Sequence, residues 1–194
     1  MPKLGKLFVI SGPSGVGKDT LATEVIKAVP EVERVVTTTT REPRPGEIDG
    51  THYRFISAGE FDKRIREDGF LEWATVHGNR YGSPRQSVAD ALEKGKSLIL
   101  AVDVQGAKQI REKMREAVTI FIAPPSLKEL ANRLTGRSTE DAVEITRRLE
   151  TAREELEHVD DYDFVVVNTK LGKAAGELIE IIKSQLLKAV GGTG

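Results

Sequence analysis

The sequence predicts an α/β fold in three layers, with a central parallel sheet covered by helices on both faces. Two patterns carry that expectation. Short apolar runs alternate with longer segments of helical periodicity, as βαβ units require, and a glycine-rich stretch joins the first apolar run to the first helical segment. The 194 residues fit one domain on the usual scale of about 100–200 residues, enough to bury a real core.

Leu7 to Ile10 is the first expected strand. It runs into "SGPSGVGKDTL", Ser11 to Leu21, whose spacing follows the phosphate-loop pattern G-x-x-x-x-G-K-[ST] up to its last position. In such a loop the glycines let backbone N–H groups approach an anion, the following helix presents its positive end, and the lysine reaches the outer phosphates. Gly12, Pro13, Ser14, Gly15, Val16, Gly17 and Lys18 are therefore the expected phosphate cradle.

The pattern then asks for a hydroxyl, but the chain has Asp19, followed by Thr20. Three readings stay open. The Asp19 carboxylate holds Mg²⁺ directly or through water, since that cation takes oxygen ligands. Alternatively, Thr20 or a second acid carries the metal and Asp19 merely suits the first turn of a helix. In the third, activity is lost.

Further strands are expected at Arg34 to Val36, Ser97 to Val102, Thr119 to Ile122 and Phe164 to Val167. All but the Arg34 segment are apolar enough to be buried on both faces. Ser57 with Glu60, and Ser126 with Glu129, have the spacing of capping boxes and mark helix starts. Ala142, Ile145, Leu149, Ala152 and Leu156 form one apolar stripe on a long helix, with Arg147, Arg148 and Arg153 off it as a solvated face.

Two segments break the βα rhythm. Thr37 to Ser83 reads as a small insertion, in which "TTTTREPRPG" sets Arg41 and Arg44 in a proline-stiffened stretch. Guanidinium groups are planar, bidentate partners of phosphate, Tyr53 and Tyr81 add phenol donors, and Glu72 between Leu71 and Trp73 lies beside an apolar wall. Ser126 to Glu150 is rich in arginine and reads as a helical flap.

Composition narrows the partners. With 30 acidic against 29 basic residues, no whole-protein field points to nucleic acid or an anionic membrane. The chain has no cysteine, so neither disulfides nor thiolate metal sites are expected. No apolar run approaches the roughly 18 residues of a membrane span, and a cytoplasmic protein is the simplest reading. His52, His77 and His158 have no metal-ligand spacing, and the terminal "GGTG", 191–194, reads as a frayed tail.

The stretches "SGPSGVGK", "TTTTREPRPGEIDGTHYRF", "GFLEWATVHGNRYGSP", "LAVDVQGA", "IFIAPPS" and "YDFVVVN" resemble, in this order, the guanylate kinases, over about Lys6 to Leu187. The middle motifs are the specific ones, since the loop alone fits many kinases and ATPases. The resemblance implies transfer of the γ-phosphoryl of Mg²⁺-bound ATP to GMP, and to dGMP, giving ADP and GDP. It implies a P-loop core at about 1–33, 87–125 and 151–190, a GMP-binding insertion at about 34–86 and a lid at about 126–150.

Carried over by position, Thr37, Arg41, Arg44, Tyr53 and Tyr81 match the GMP-phosphate ligands, and Glu72, Ser83 and Asp103 the guanine readers. Lys18, Arg41, Arg137 and Arg148 match the catalytic cations. Arg137 and Arg148 reach over the ATP phosphates, Arg133 is a weaker candidate, and Asn168 matches a position near the adenine. The departures are Asp19, Ala101 at a position that is often acidic, Ser138, and "NTK" for an acidic "N-D-D". They make Asp19 and Asp103 the candidate metal anchors. A ribose 1,5-bisphosphate phosphokinase and a non-catalytic scaffold module are the rival readings. The first has no use for Glu72 and Ser83, and in the second the loop is usually degraded.

Overall fold

The computed structural model describes residues 4–76, 78–135 and 142–188. In chain order the elements are β1 (Leu7–Ser11), α1 (Lys18–Ala28), β2 (Val32–Arg34), β3 (Thr38–Thr39), β4 (Arg54–Phe55), α2 (Ala58–Arg66), β5 (Phe70–Val76) and β6 (Asn79–Pro84). There follow α3 (Arg85–Glu93), β7 (Ser97–Ala101), α4 (Val104–Lys113), β8 (Val118–Ala123), α5 (Leu127–Thr135), α6 (Ala142–Leu156), β9 (Phe164–Val167) and α7 (Leu171–Lys188).

The main sheet has five parallel strands in the order β2-β7-β1-β8-β9. Every residue of β1 is buried, and the period-two alternation of a strand divides its side chains between two cores. Phe8 and Ile10 pack with Leu21, Val25, Leu178 and Ile182 of α1 and α7. Leu7 and Val9 pack with Val88, Val104 and Ile110 of α3 and α4. Strands flanked by such layers must be apolar on both sides, which is why they read as unbroken hydrophobic runs.

Two strand expectations are corrected. The second strand is Val32–Arg34 rather than Arg34 to Val36; the apolar pair Val35 and Val36 lies just beyond it, where Val35 N still donates to Ile99 O at 3.1 Å. Phe164–Val167 forms where expected but is not buried on both faces, since Val165 is 41% and Val167 44% exposed. The cause is its place at the edge of the sheet, paired with β8 alone among the described strands.

The serines cap the helix starts as read, whereas the glutamate half of each capping box is not formed among the described residues. Ser57 Oγ accepts from Glu60 N at 3.2 Å, and Ser126 Oγ from Glu129 N at 3.1 Å. The two glutamates accept hydrogen bonds one turn further on, from Arg64 at 3.1 Å and Arg133 at 3.4 Å. On α6, Leu149 and Ala152 pack with Leu130 and Leu134 of α5, whereas the side chains at 142–145 lie outside the described residues.

A second, four-stranded sheet, β4-β3-β6-β5, rises from the first. Its hairpin β5–β6 is antiparallel, and β3 pairs antiparallel with β6 and parallel with β4. α2 covers it through Phe61, which is fully buried and stacks on Phe70 with ring centroids 4.5 Å apart. Helix α4 ties this sheet to the core: Gln109 Oε1 accepts from Trp73 N at 3.2 Å, Gln109 Nε2 donates to Trp73 O at 3.3 Å, and Lys113 Nζ donates to Phe70 O at 2.7 Å. Among the described residues no helix is long and apolar enough to cross a membrane.

Phe61 is the one buried aromatic that α2 contributes to the small sheet. Phe61→Ala is expected to cost about 3–5 kcal/mol, as for other buried aromatic truncations. Urea unfolding measures this, and a loss below about 1 kcal/mol would show that the small sheet does not depend on that stack.

Candidate active site

The loop after β1 is pinned from several sides. Gly12 has φ 132°, and a Cβ there would fall 2.2 Å from Ile122 O on β8, so only glycine lets the loop leave this close to the neighbouring strand. Asn168, 5% exposed at the end of β9, donates Nδ2 to Val16 O at 2.8 Å. Its carbonyl accepts from Arg133 Nη2 at 2.9 Å. Lys18 Nζ folds back onto the loop, donating to Gly12 O and, at 3.0 Å, to Pro13 O. Burial lowers the Lys18 pKa, opposed by the carboxylates of Glu155, Asp19 and Asp103.

A cavity of about 860 Å³ lies between this loop and the small sheet. Ser14, Lys18 and Asp19 border it from the loop and α1, Thr37, Tyr53, Glu72 and Tyr81 from the small sheet, and Asp103 from the end of β7. A smaller hollow of about 380 Å³ is bordered by Gly15, Val16, Gly17, Thr20, Arg133 and Asn168. Thr20 therefore faces a different space from Asp19.

Glu72 and Ser83 are opposite each other in the β5–β6 register, and Ser83 Oγ donates to Glu72 Oε1. Both are buried, at 6% and 0% exposure. Helix α4 begins against them: Asp103 Oδ1 caps it by accepting from Gly106 N at 2.7 Å. A Cβ on Gly106 would lie 3.2 Å from Glu72 Oε2 and 3.3 Å from Asp103 Oδ1, so glycine here lets the helix start beside the carboxylate. Burial pushes Glu72 up to about 7; the Ser83 hydrogen bond opposes this and the Asp103 charge reinforces it.

Arg41 lies across the ring of Tyr53, 5.5 Å from its centroid, and Tyr53 meets Tyr81 edge-on at 6.0 Å. Its Nη2 donates to both oxygens of Glu47, at 2.9 and 3.0 Å. Glu47 also accepts from Arg44 N at 2.7 Å, and these partners hold its pKa below the ordinary carboxylate value. The Arg44 side chain is exposed. Arg148 is half-buried on α6, whereas Arg137 lies outside the described residues.

Three residues of this region escape a reading by motif. Glu155, on α6, borders the large cavity, and burial pushes it up to about 7 against the opposing charge of Lys18. Its signal in the sequence is its place between Ala152 and Leu156 of the apolar stripe. Glu47 stands inside the quoted arginine motif but reads as a turn residue. Arg34 reads as part of a strand, yet its Nη1 donates to Asp19 Oδ1 at 3.0 Å and it borders the cavity.

No group of three or more His, Cys, Asp or Glu able to hold a metal ion occurs among the described residues. Asp19 and Asp103 nevertheless face one cavity with Lys18. That donor set fits an ion such as Mg²⁺, which takes one or two carboxylates and draws its remaining oxygens from substrate phosphates and water.

Comparison with known proteins agrees with this geometry. The family model for guanylate kinase matches residues 4–185. The chain is 45% identical over 93% of its length to the guanylate kinase of Desulfitobacterium hafniense, covering 90% of that protein. It is 49% identical over 91% of its length to that of Streptomyces coelicolor, covering 89% of it. The crystal structure of guanylate kinase from Anaplasma phagocytophilum superposes with a TM-score of 0.73 at 34% identity, over 95% of this chain and 87% of the other.

The Glu72 carboxyl has a stability consequence with a defined sign. Below the exposed carboxyl value of about 4.3 it is neutral in both folded and unfolded chains. As pH rises through about 7, the folded chain takes on the cost of an ionised, buried carboxylate, about 3 kcal/mol for a gap of this size. Glu72→Gln is therefore expected to be more stable than the parent at pH 8, by up to about 3 kcal/mol, with the gain gone near pH 4. Unfolding of the ligand-free proteins across pH measures this; a difference independent of pH would refute the assignment.

Proposed function

The chain belongs to the guanylate kinase family, and on that premise we propose a division of labour for the ATP:GMP phosphotransfer it catalyses. The observation that carries the assignment is the buried Glu72, hydrogen-bonded by Ser83 and bordering the same cavity as Lys18. Guanine offers N1–H and N2–H₂ donors on one edge, which one carboxylate accepts as a pair, and an O6 acceptor that a hydroxyl or a backbone donor meets. Adenine presents a lone pair at N1 and no amino group at C2, leaving the buried carboxylate unpaired. Matched polar sites of this kind discriminate by as much as 10⁴–10⁵.

The two ends of the cavity do different work. Glu72, Ser83 and Asp103 read the base, and binding to N1–H and N2–H₂ draws the Glu72 carboxyl into its ionised form. Thr37, Arg41, Arg44, Tyr53 and Tyr81 hold the GMP phosphate. For Arg41 this means exchanging the Glu47 carboxylate, which takes Nη2, and the Glu42 carbonyl, which takes Nη1, for phosphate oxygens that can engage both nitrogens.

Residues Gly12 to Thr20 take the ATP phosphates, and Lys18 exchanges the carbonyls of Gly12 and Pro13 for the outer phosphate oxygens. A GMP phosphate oxygen then bonds to the γ-phosphorus as the bond from that phosphorus to the β,γ-bridging oxygen breaks, and ADP leaves. The protein contributes in-line positioning and positive charge. Arg137 and Arg148, on a lid of about 126–150, add to that charge, and Asn168 with Arg133 borders the hollow assigned to the adenine. Closing the lid and the insertion of about 34–86 excludes water, which competes with GMP as acceptor. Asp19 and Asp103, directly or through water, would hold Mg²⁺, which supplies neutralisation of charge on the phosphates.

A coupled ADP-release assay with GMP, dGMP, AMP, UMP and ribose 1,5-bisphosphate tests the reading. Turnover is expected with GMP and dGMP, and inactivity with GMP would overturn the assignment of every residue above. Glu72→Gln is expected to lower the GMP-to-AMP ratio of kcat/KM by about 10- to 100-fold, the worth of a charge-assisted hydrogen bond to a buried partner. An unchanged ratio would remove Glu72 from the role of base reader.

A further inference from the structure

Asp19 is 85% exposed in the first turn of α1, directly after Lys18, and its Oδ1 accepts from Arg34 Nη1 at 3.0 Å. The other arm of the same guanidinium, Nη2, donates to Asp19 O and to Thr23 Oγ1, each at 3.2 Å. Thr23 Oγ1 in turn donates to Asp19 O at 2.9 Å. Arg34 thus has two anchors of different kinds. One is a carbonyl and a hydroxyl fixed by helix α1; the other is a carboxylate on a short, exposed side chain that rotates freely of the backbone. Asp19 and Arg34 border the same cavity as Ser14 and Lys18.

We propose that Arg34 is a positioning residue that competes with the divalent cation for the Asp19 carboxylate and so sets how tightly this enzyme holds its metal. The inference rests on the reading above, in which Asp19 faces the cation. A carboxylate beside polyphosphate repels it unless a positive charge lies between them. Before the cation arrives, Arg34 supplies that charge. When it arrives, Asp19 turns to it and the Nη1 arm is released, while the Nη2 arm keeps the guanidinium on α1 beside the phosphates. The exchange is nearly balanced because an exposed ion pair is weak. Arg34 therefore tunes the cation affinity without blocking the site. This explains how an acid is tolerated at a loop position where the pattern asks for a hydroxyl: it comes with its own counter-ion.

The test uses Mn²⁺ as the probe, its free concentration read by electron paramagnetic resonance with the enzyme saturated by the β,γ-imido analogue of ATP. Arg34→Met, which keeps the unbranched stem of the side chain but neither its charge nor its donors, is expected to tighten Mn²⁺ about two- to fivefold at low ionic strength, and the gain should shrink as salt screens the pair. Asp19→Ser is expected to weaken Mn²⁺ binding, and adding Arg34→Met to it should change nothing further, the two sites being coupled through one contact.

If Asp19→Ser weakens the ion but Arg34→Met does not tighten it, the competition is absent although Asp19 still faces the metal. An equal gain from Arg34→Met in both backgrounds would mean that only the field of the arginine matters, which also overturns the proposal. If Asp19→Ser leaves Mn²⁺ binding unaltered, the metal reading of Asp19 fails and the inference with it. Melting curves of each variant with and without the analogue separate a loss of fold from a loss of metal.

Discussion

The closeness of the Gly12 backbone to Ile122 O, where a Cβ would stand 2.2 Å away, is the constraint on which the rest of the molecule depends. The phosphate cradle is a loop with few side chains of its own to hold it, so neighbouring strands must supply its shape. β8 sets how closely the chain leaves β1, and β9 adds Asn168, whose amide holds the Val16 carbonyl. Both strands reach those positions because the parallel register aligns their C-terminal ends with that of β1, where α/β sheets gather their ligands. The apolar burial of β1 on both faces therefore places a set of backbone donors at a fixed point, besides stabilising the core.

From that point the cavity is electrically graded. Lys18 lies at the loop with Arg34 as the second bordering cation, and Glu72, Asp103 and Glu155 are among the acids that line the walls. Burial raises Glu72 and Glu155 alike to about 7, but their surroundings differ. Glu72 has a hydroxyl partner and the negative Asp103 as its principal charged neighbour. Glu155 has Lys18, the largest influence opposing its rise. On the reading proposed above, one acid takes hydrogen-bond donors from a neutral base, and the other balances a cation that later turns to phosphate.

Much of this was legible in the sequence, and the parts that were not share physical causes. The central strands announced themselves because two-sided burial leaves no polar residue to interrupt the run, and the loop did so because close approach leaves no alternative to glycine. The capping serines of α2 and α5 were equally plain, since one hydroxyl at a fixed offset meets the need of a helix start. β9 misled because apolar composition does not distinguish a central from an edge strand; its neighbours decide that. β2 was displaced because its single buried apolar residue, Val32, lies before the more conspicuous Val35 and Val36. At the site, Glu72 and Arg41 stood in specific motifs. Glu155 and Arg34 did not, because their roles come from tertiary neighbours, Lys18 at a separation of 137 residues and Asp19 at 15.

The ligand-free protein also answers how it carries so many cations at one site without substrate. Four of them have internal acceptors. Lys18 rests on the carbonyls of Gly12 and Pro13, Arg41 on Glu47, Arg34 on Asp19 and Arg133 on Glu129 and the Asn168 carbonyl. These acceptors are carbonyls or carboxylates, each offering less negative charge than a phosphate dianion. On the reading proposed above, substrate binding is an exchange of partners, in which these four cations pass from one acceptor to another and the desolvation cost of an uncompensated charge does not arise. On that reading the acids beside the cations are part of the binding apparatus. Their weakness relative to phosphate is what allows the substrates to displace them.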